Sequence, residues 1–354
     1  MIRIARSSVL AVLTAAALTA TLGLPDVVTA APNPRKVRVC ALRPLPLPAD
    51  LNGYARVVDP TGRFTAGVGY RVTDDDRHPL LLLWDGLARR DGPPRRPLVW
   101  DEPRLTIVPT EAELQLASIN RHGVIIGSGF VDNSHRPWRY RNGQLEWLPI
   151  PPTVSGASAQ GINSRGDIVG SGAVEETETS LPLLWPADRP GAVEVIDAPP
   201  NAGATEILDD GTIVGSAGGS GGSLSSGWVR RPDGTTVLLT APAARWSTVF
   251  AAQGDWAVGR IGAGSPYEDS TSVRWNLRTG LAVAVNPALG PASDVNARGT
   301  VLGDRAVDHD GRIVPLRGAI PDVLIIFGWA IADDGTVVGS TNGTRLRPAR
   351  WIGC

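Results

Sequence analysis

An all-β fold built from seven repeated units is predicted by three features of this 354-residue chain. A glycine motif returns at a regular period, a tryptophan follows most copies of it, and apolar residues run or alternate without a helical period. The motif leads from one glycine, through a short apolar run, to a second. Its copies are Gly62–Gly67, Gly123–Gly127, Gly166–Gly170, Gly211–Gly215, Gly254–Gly259, Gly299–Gly303 and Gly335–Gly339. The clearest are Ile119-Asn-Arg-His-Gly-Val-Ile-Ile-Gly127, Ile162-Asn-Ser-Arg-Gly-Asp-Ile-Val-Gly170, Val295-Asn-Ala-Arg-Gly-Thr-Val-Leu-Gly303 and Ile331-Ala-Asp-Asp-Gly-Thr-Val-Val-Gly339. Closing glycines lie 60, 43, 45, 44, 44 and 36 residues apart. A period near 44 means one supersecondary unit stacked on itself.

The second unit shows what is repeated. Ala117–Asn120 reads as a strand and Arg121–Gly123 as a tight turn, where Asn can bond its own backbone and Gly supplies positive φ. Val124–Phe130 is a second strand, Arg136–Tyr140 a third, Arg141–Gly143 a hairpin turn and Gln144–Ile150 a fourth. Four antiparallel strands in about 44 residues make a propeller blade. The third-strand tryptophans are Trp100, Trp138, Trp185, Trp228, Trp275 and Trp351, and their recurrence points to packing between blades. Trp84 falls in an insertion at about 70–96, which accounts for the long first step. The sixth unit lacks the tryptophan and has a very short excursion at Asp304–Val307.

The seventh unit stops at its third strand, Arg347–Cys354, and an unpaired segment, Val37–Pro48, precedes the first unit. That segment ends in apolar residues and prolines, as the fourth-strand segment Gln144–Pro151 does, so it is expected to complete the last blade and close a seven-bladed β-propeller. Cys40 and Cys354, the only cysteines, would then face each other and form a disulfide. A loop of 314 residues closed in this way is stabilised by at most roughly 5–6 kcal/mol on the chain-entropy formula.

Residues 1–30 read as a secretory signal. Arg3 and Arg6 precede an apolar stretch from Val9 to Leu24, and Val28-Thr29-Ala30 offers a cut before Ala31. The stretch is too short to span a membrane, so residues 31–354 are expected to be a secreted single domain. The net charge of −1 argues against nucleic acid as a partner. Lys36 is the only lysine among 34 basic residues, a skew expected of a GC-rich bacterial genome.

The Ile-Asn-x-x-Gly-x-Val-Val-Gly core followed by a tryptophan strand resembles the extracellular His-Ala-Phe (HAF) repeat family, at residues 119–127, 162–170, 295–303 and, more loosely, 207–215 and 331–339. The resemblance implies a secreted bacterial propeller and no particular activity. The eponymous triplet is replaced here by Arg136-Pro-Trp, Leu183-Leu-Trp, Val273-Arg-Trp and Ala349-Arg-Trp.

No catalytic motif stands out. The histidines at 78, 122, 135 and 309 are scattered; there is no two-histidine helix motif, cysteine cluster or phosphate loop. Gly218–Ser223 is a flexible tract with no lysine after it. Arg165-Gly166-Asp167 occupies the repeat's own turn, and Asn342-Gly-Thr344 fits a glycosylation acceptor. Sorting charges by loop type predicts an acidic face that carries Asp74, Asp75, Asp76, Glu111, Glu113, Asp132, Glu175, Glu176, Glu178, Glu268 and Asp269. The opposite, tight-turn face carries Arg63, Arg121, Arg139, Arg141, Arg165, Arg230, Arg231, Arg278 and Arg298. The acidic loops could hold a cation such as Ca²⁺ or a basic partner, although no cofactor is implied. The expected function is that of a monomeric, non-catalytic binding or envelope-associated scaffold for an extracellular protein or glycan. The alternative is a hydrolase or lyase acting on extracellular polysaccharide through axial carboxylates.

Overall fold

The computed structural model describes residues 40–72, 95–218, 225–264, 270–317, 325–342 and 345–354. The expected leader, His78, Trp84, Asp74, Asp75, Asp76, Glu268, Asp269 and most of the glycine-rich tract lie outside these residues.

Seven four-stranded antiparallel sheets make up the molecule. Strand β1 (Ala41–Pro44) precedes blade 1, which comprises β2 (Leu51–Val58), β3 (Phe64–Arg71), β4 (Arg96–Asp101) and β5 (Arg104–Ile107). Blade 2 comprises β6 (Leu114–Ile119), β7 (Ile125–Val131), β8 (Ser134–Arg141) and β9 (Gln144–Trp147). Blade 3 comprises β10 (Gly156–Ile162), β11 (Ile168–Val174), β12 (Thr179–Trp185) and β13 (Glu194–Val195). Blade 4 comprises β14 (Ala202–Ile207), β15 (Ile213–Ala217), β16 (Ser226–Arg230) and β17 (Thr236–Leu239). Blade 5 comprises β18 (Trp246–Gln253), β19 (Trp256–Gly262), β20 (Thr271–Asn276) and β21 (Ala282–Ala284). Blade 6 comprises β22 (Ala292–Val295), β23 (Val301–Gly303), β24 (Ala306–His309) and β25 (Arg312–Pro315). Blade 7 comprises β26 (Ile325–Ile331), β27 (Val337–Asn342) and β28 (Leu346–Ile352), with β1 as its fourth strand.

The ring therefore closes as the sequence predicts. β1 pairs with β28 from Ala41↔Ile352 to Pro44↔Ala349, and Cys40 is bonded to Cys354. Cys40 also bridges to Leu316 at the end of blade 6, so the latch ties two blades as well as two termini. The first strand of each blade touches the first strand of the next around the whole ring, leaving the axis lined by β2, β6, β10, β14, β18, β22 and β26. Strand β6 begins three residues earlier than the pattern suggests, because pairing continues past an irregularity at Ala117 that interrupts the alternation.

There is no single central core. Buried apolar residues form seven clusters, one in each junction between neighbouring blades. The third-strand tryptophans are the largest side chains in six of them and are nearly inaccessible. Each buried indole contributes roughly 4–6 kcal/mol of gross hydrophobic free energy, at about 25 cal/mol per Å².

The tryptophans occupy two register positions rather than one. Trp100, Trp185, Trp275 and Trp351 pair with the residue two before the closing glycine, and each donates Nε1–H to a carbonyl near the fourth strand of the preceding blade. The acceptors are Pro46, Pro149, Thr240 and Arg317. Trp138 and Trp228 sit opposite the closing glycine itself, and their Nε1 groups are buried without a partner. In blade 6 Asp308 takes the first position and accepts from Asn286 N–H of blade 5. A carboxylate there does the inter-blade work of an indole.

The motif asparagine also joins blades. Asn120 Oδ1 accepts from the N–H groups of His122 and Val124 while Nδ2 donates to Asn163 O in blade 3. Asn163 reaches Leu208 O in blade 4, and Asn296 repeats the arrangement toward Ala332 O. Where Leu208 and Ala332 replace the asparagine, the next residue compensates: Asp209 accepts from Ser164 N–H and Asp333 from Ala297 N–H.

Candidate functional site

Every inner strand carries a one-residue bulge at the same place. The unpaired residues are Arg56, Ala117, Gln160, Thr205, Phe250, Ser293 and Trp329. The residue just before each bulge pairs with the closing glycine of its motif. This explains the glycines. The bulge pushes a backbone carbonyl against β7 so closely that a Cβ on Gly127 would lie 1.8 Å from Gln115 O, and one on Gly339 1.8 Å from Phe327 O. Only glycine admits that approach.

Two cavities meet at the axis. One, of about 310 Å³, is lined by all seven inner strands and includes Arg56, Glu206, Phe250, Asp294 and Trp329. The other, of about 710 Å³, opens on the side of blades 1 to 3 away from the tight turns and includes Tyr54, Arg95, Glu113, His135 and Gln160. Arg56 and Ala117 line both. A third cavity, about 590 Å³, lies on the turn face between blades 6 and 7, and several of its polar groups are engaged within the fold. There His309 contacts Thr300 Oγ1 at 3.0 Å and Cys354 O at 2.6 Å, and Asp334 holds Thr336.

The axial wall has an aromatic and an acidic side. On the aromatic side, Trp329 lies 6.4 Å from Phe327 and 6.3 Å from Tyr54 between ring centroids, with the Arg56 guanidinium 6.0 Å over its face. Arg305 lies 6.0 Å over Phe327, and Arg260 lies 5.4 Å over Phe250. Trp329 Nε1 is buried without a partner.

Glu206 and Asp294 form the acidic side. Both follow a bulge residue directly. Protein surrounds their carboxyls, although the channel leaves each side chain only half-buried by surface. Burial, with some repulsion from Asp294, raises the Glu206 pKa well above the usual carboxylate range. Its carboxyl lies over Gly161 of blade 3, where a Cβ would come within 2.7 Å of Oε2. Burial raises Asp294 to about 7, against the opposing effect of hydrogen bonds from Ile331 and Val295 N–H at 2.8 Å each. Asp294 thus joins blade 6 to blade 7, whereas the Glu206 carboxyl makes no hydrogen bond among the described residues.

The residues singled out by loop type are differently placed. Asp132 stands in the turn between β7 and β8, and Glu175, Glu176 and Glu178 in or beside a 3-10 turn between β11 and β12; all four are exposed. Among the described residues no three His, Cys, Asp or Glu side chains converge as a metal site requires. Five of the nine turn-face arginines are ion-paired: Arg63 with Asp101, Arg121 with Asp209, Arg139 with Glu146, Arg165 with Asp167 and Arg278 with Asp255. Among the described residues Arg141, Arg230, Arg231 and Arg298 form no ion pair, and Arg231 donates to the Leu277 carbonyl instead. Asp167 of the Arg-Gly-Asp tripeptide is held by Ala187 N–H, Asn163 and Arg165, so its carboxylate is committed within the fold. Asn342 is buried inside β27, which removes it as a glycan acceptor in the folded protein.

The bulge residues escaped the loop-based reading, yet the repeat marks them. Each lies three positions before the motif asparagine or its substitute, in a column reading Arg, Ala, Gln, Thr, Phe, Ser, Trp. Its neighbours are mostly small or apolar, and this column varies freely.

Fold and axis together define a seven-bladed β-propeller, and comparison with known proteins agrees with that class. No family model matches the chain, and no curated protein does. Among solved structures it is similar to an oligogalacturonate lyase in complex with manganese (TM-score 0.56, 11% identity, covering 88% of this chain and 93% of the lyase). It is also similar to the Pyrococcus horikoshii acylaminoacyl peptidase (TM-score 0.52, 10% identity, 84% of this chain and 52% of the peptidase). A Mycobacterium tuberculosis puromycin-hydrolyzing peptidase matches with TM-score 0.50 and 13% identity, over 83% of this chain and 50% of that one. The chain spans about half the length of these peptidases. At such identities the likeness is one of fold. No helix among the described residues is long and apolar enough to cross a membrane.

Proposed function

We propose that this chain is a secreted binding propeller that takes its ligand at the ring axis. The observation that carries the reading is the ring of bulges. It gathers Arg56, Phe250 and Trp329 at cavities whose volumes fall in the range of small-ligand sites, and it leaves the buried Trp329 Nε1 without a partner in the fold. Groups desolvated and left unpaired are costly to the fold alone, so a ligand that pairs them is the economical explanation. The Cys40–Cys354 bond fits an oxidising compartment, in keeping with the leader-like start of the sequence. The test is to screen the folded chain on glycan and peptide arrays. Binding abolished by Trp329→Ala but indifferent to Glu175→Ala and Glu176→Ala is expected. Binding that survives Trp329→Ala combined with Phe250→Ala would place the ligand elsewhere and overturn the reading.

The second reading, a hydrolase or lyase acting on extracellular polysaccharide, is favoured by one observation. Burial raises the pKa of both Glu206 and Asp294, the latter to about 7, the direction a general acid needs. Against it, both Asp294 oxygens accept backbone N–H groups and act within the fold. One structural neighbour is an oligogalacturonate lyase, which makes oligogalacturonate a reasonable substrate to try. Turnover abolished by Glu206→Gln, with the fold retained, would establish an enzyme. Absence of new ends or unsaturated products supports the binding reading.

A further inference from the structure

We infer that the axial wall of blades 7 and 1, with the adjoining β23–β24 turn of blade 6, binds an acidic oligosaccharide, with uronate carboxylates taken by Arg56 and Arg305 and ring faces laid on Trp329 and Phe327. The inference rests on the axial-binding reading above and deepens it to a ligand class.

The first argument is the contrast among arginines. Five arginines of the turn face have carboxylate partners, while the guanidinium groups of Arg56 and Arg305 have neither a hydrogen bond nor an ion pair among the described residues. Each lies over an aromatic face at 6.0 Å instead. A guanidinium over a ring keeps its N–H edge available for bidentate bonding to a carboxylate.

The second argument is the ladder itself. Arg305, Phe327, Trp329 and Arg56 form consecutive contacts, and Tyr54 flanks Trp329. The chain has only four phenylalanines and four tyrosines, yet Phe250, Phe327 and Tyr54 lie on inner strands. A surface alternating ring faces with fixed cations suits a polymer alternating apolar C–H faces with carboxylates.

The third argument concerns the opposite wall, where carboxyls would normally repel an anion. Burial raises the pKa of Glu206 and brings that of Asp294 to about 7, so at mildly acidic pH the wall is less negative than two ordinary carboxylates would make it. Trp329 Nε1 adds an uncommitted donor.

Single-stranded nucleic acid is the rival with similar chemistry, since bases also stack and phosphates also seek arginine. A net charge of −1 does not suit a densely charged backbone.

Isothermal titration of the whole folded chain at pH 6 with trigalacturonate, a hyaluronan tetrasaccharide, maltotriose and a ten-nucleotide oligothymidylate tests the inference. At least one uronate-containing oligosaccharide is expected to bind, with maltotriose at least ten-fold weaker. Arg56→Met and Arg305→Met should each lose ten-fold or more, while Arg63→Met, which removes a paired arginine, leaves binding unchanged. Near-UV circular dichroism of each variant confirms the native fold. Equal affinity for maltotriose, tighter binding of the oligothymidylate, or uronate binding indifferent to Arg56→Met and Arg305→Met would each overturn the inference. So would failure of both uronate oligosaccharides to bind. Maltotriose binding as tight as that of the uronate oligosaccharides and lost in Trp329→Ala would sink the acidic-sugar inference while leaving axial binding intact, and array binding that ignores Trp329→Ala and Phe250→Ala would sink both.

Discussion

The turn face and the axial wall are built from the same seven inner strands, yet they use charge in opposite ways. At the turn face Arg121 donates to Asp209 at 2.5 Å, and Arg165 donates to both Asp167 and the carbonyl of Asp209. Burial works to raise the Asp209 carboxyl, but the Ser164 N–H and then Arg121 outweigh it and hold its pKa below the usual range. A few residues away, Arg56 and Glu206 have no such partners. The difference teaches that the turn face is organised to hold blades together. The axial wall carries costs that the fold alone does not offset.

The most drastic way to break that comparison is to remove the bulge that creates the wall. Gly127→Val puts a side chain where Gln115 O already sits, and is expected to cost about 3–5 kcal/mol or prevent folding. Urea unfolding with a loss under about 1 kcal/mol would show that the bulge relaxes freely. Next in size is the latch. Replacing Cys40 and Cys354 together by Ser is expected to lower stability by about 2–5 kcal/mol, since the two ends of blade 7 are then joined only by strand pairing. Unchanged unfolding under reducing conditions would leave the latch without a role.

A subtler prediction concerns pH. Asp294 titrates at about 7 in the fold but near 3.9 in an unfolded chain, so the folded state holds more protons between these values. Stability should decline as pH rises from about 4 to about 7 and level off above, with Glu206 acting in the same direction. Below that window Asp167 and Asp209, whose folded pKa values are depressed, make the fold weaker as acid is added. Asp294→Asn should flatten the decline between pH 5 and pH 7, and an unaltered slope in urea titrations would exclude Asp294 as its source. The smallest effect is the sharpest comparison. Arg165→Met should cost about 0.5–1 kcal/mol and Arg56→Met less than about 0.5, because only the first removes partners. Equal costs would mean that the wall is structural after all.

Much of this architecture was readable from the residues. The Asn-x-x-Gly turns, the closing glycines and the unpaired ends at Val37–Pro48 and Arg347–Cys354 are local or periodic signals, and they led to blade number and closure. The tryptophans were readable as packing residues, though their split into two registers was not. A shift of two residues along a strand keeps the same face and the same pattern, but it decides whether Nε1 reaches the preceding blade. Loop acids drew attention because charge is conspicuous in a sequence, but of those described Glu113 lines an axial cavity while Asp132, Glu175, Glu176 and Glu178 stand exposed in turns. Arg56, Phe250 and Trp329 share a column in the repeat, yet nothing in that column announces a common site. They come together only because seven strands are wrapped around one axis.

Composition and spacing by themselves thus determined the repeating unit, its antiparallel strands, its turns and the pairing of the chain ends, since each depends on steric and hydrogen-bonding rules acting over a few dozen residues. The tertiary structure alone decided which side chains face the axis, which arginines find carboxylates, and which carboxyls are deep enough to keep a proton. Those outcomes depend on distances between blades far apart in sequence and on how much water the closed ring excludes, quantities that no local pattern encodes.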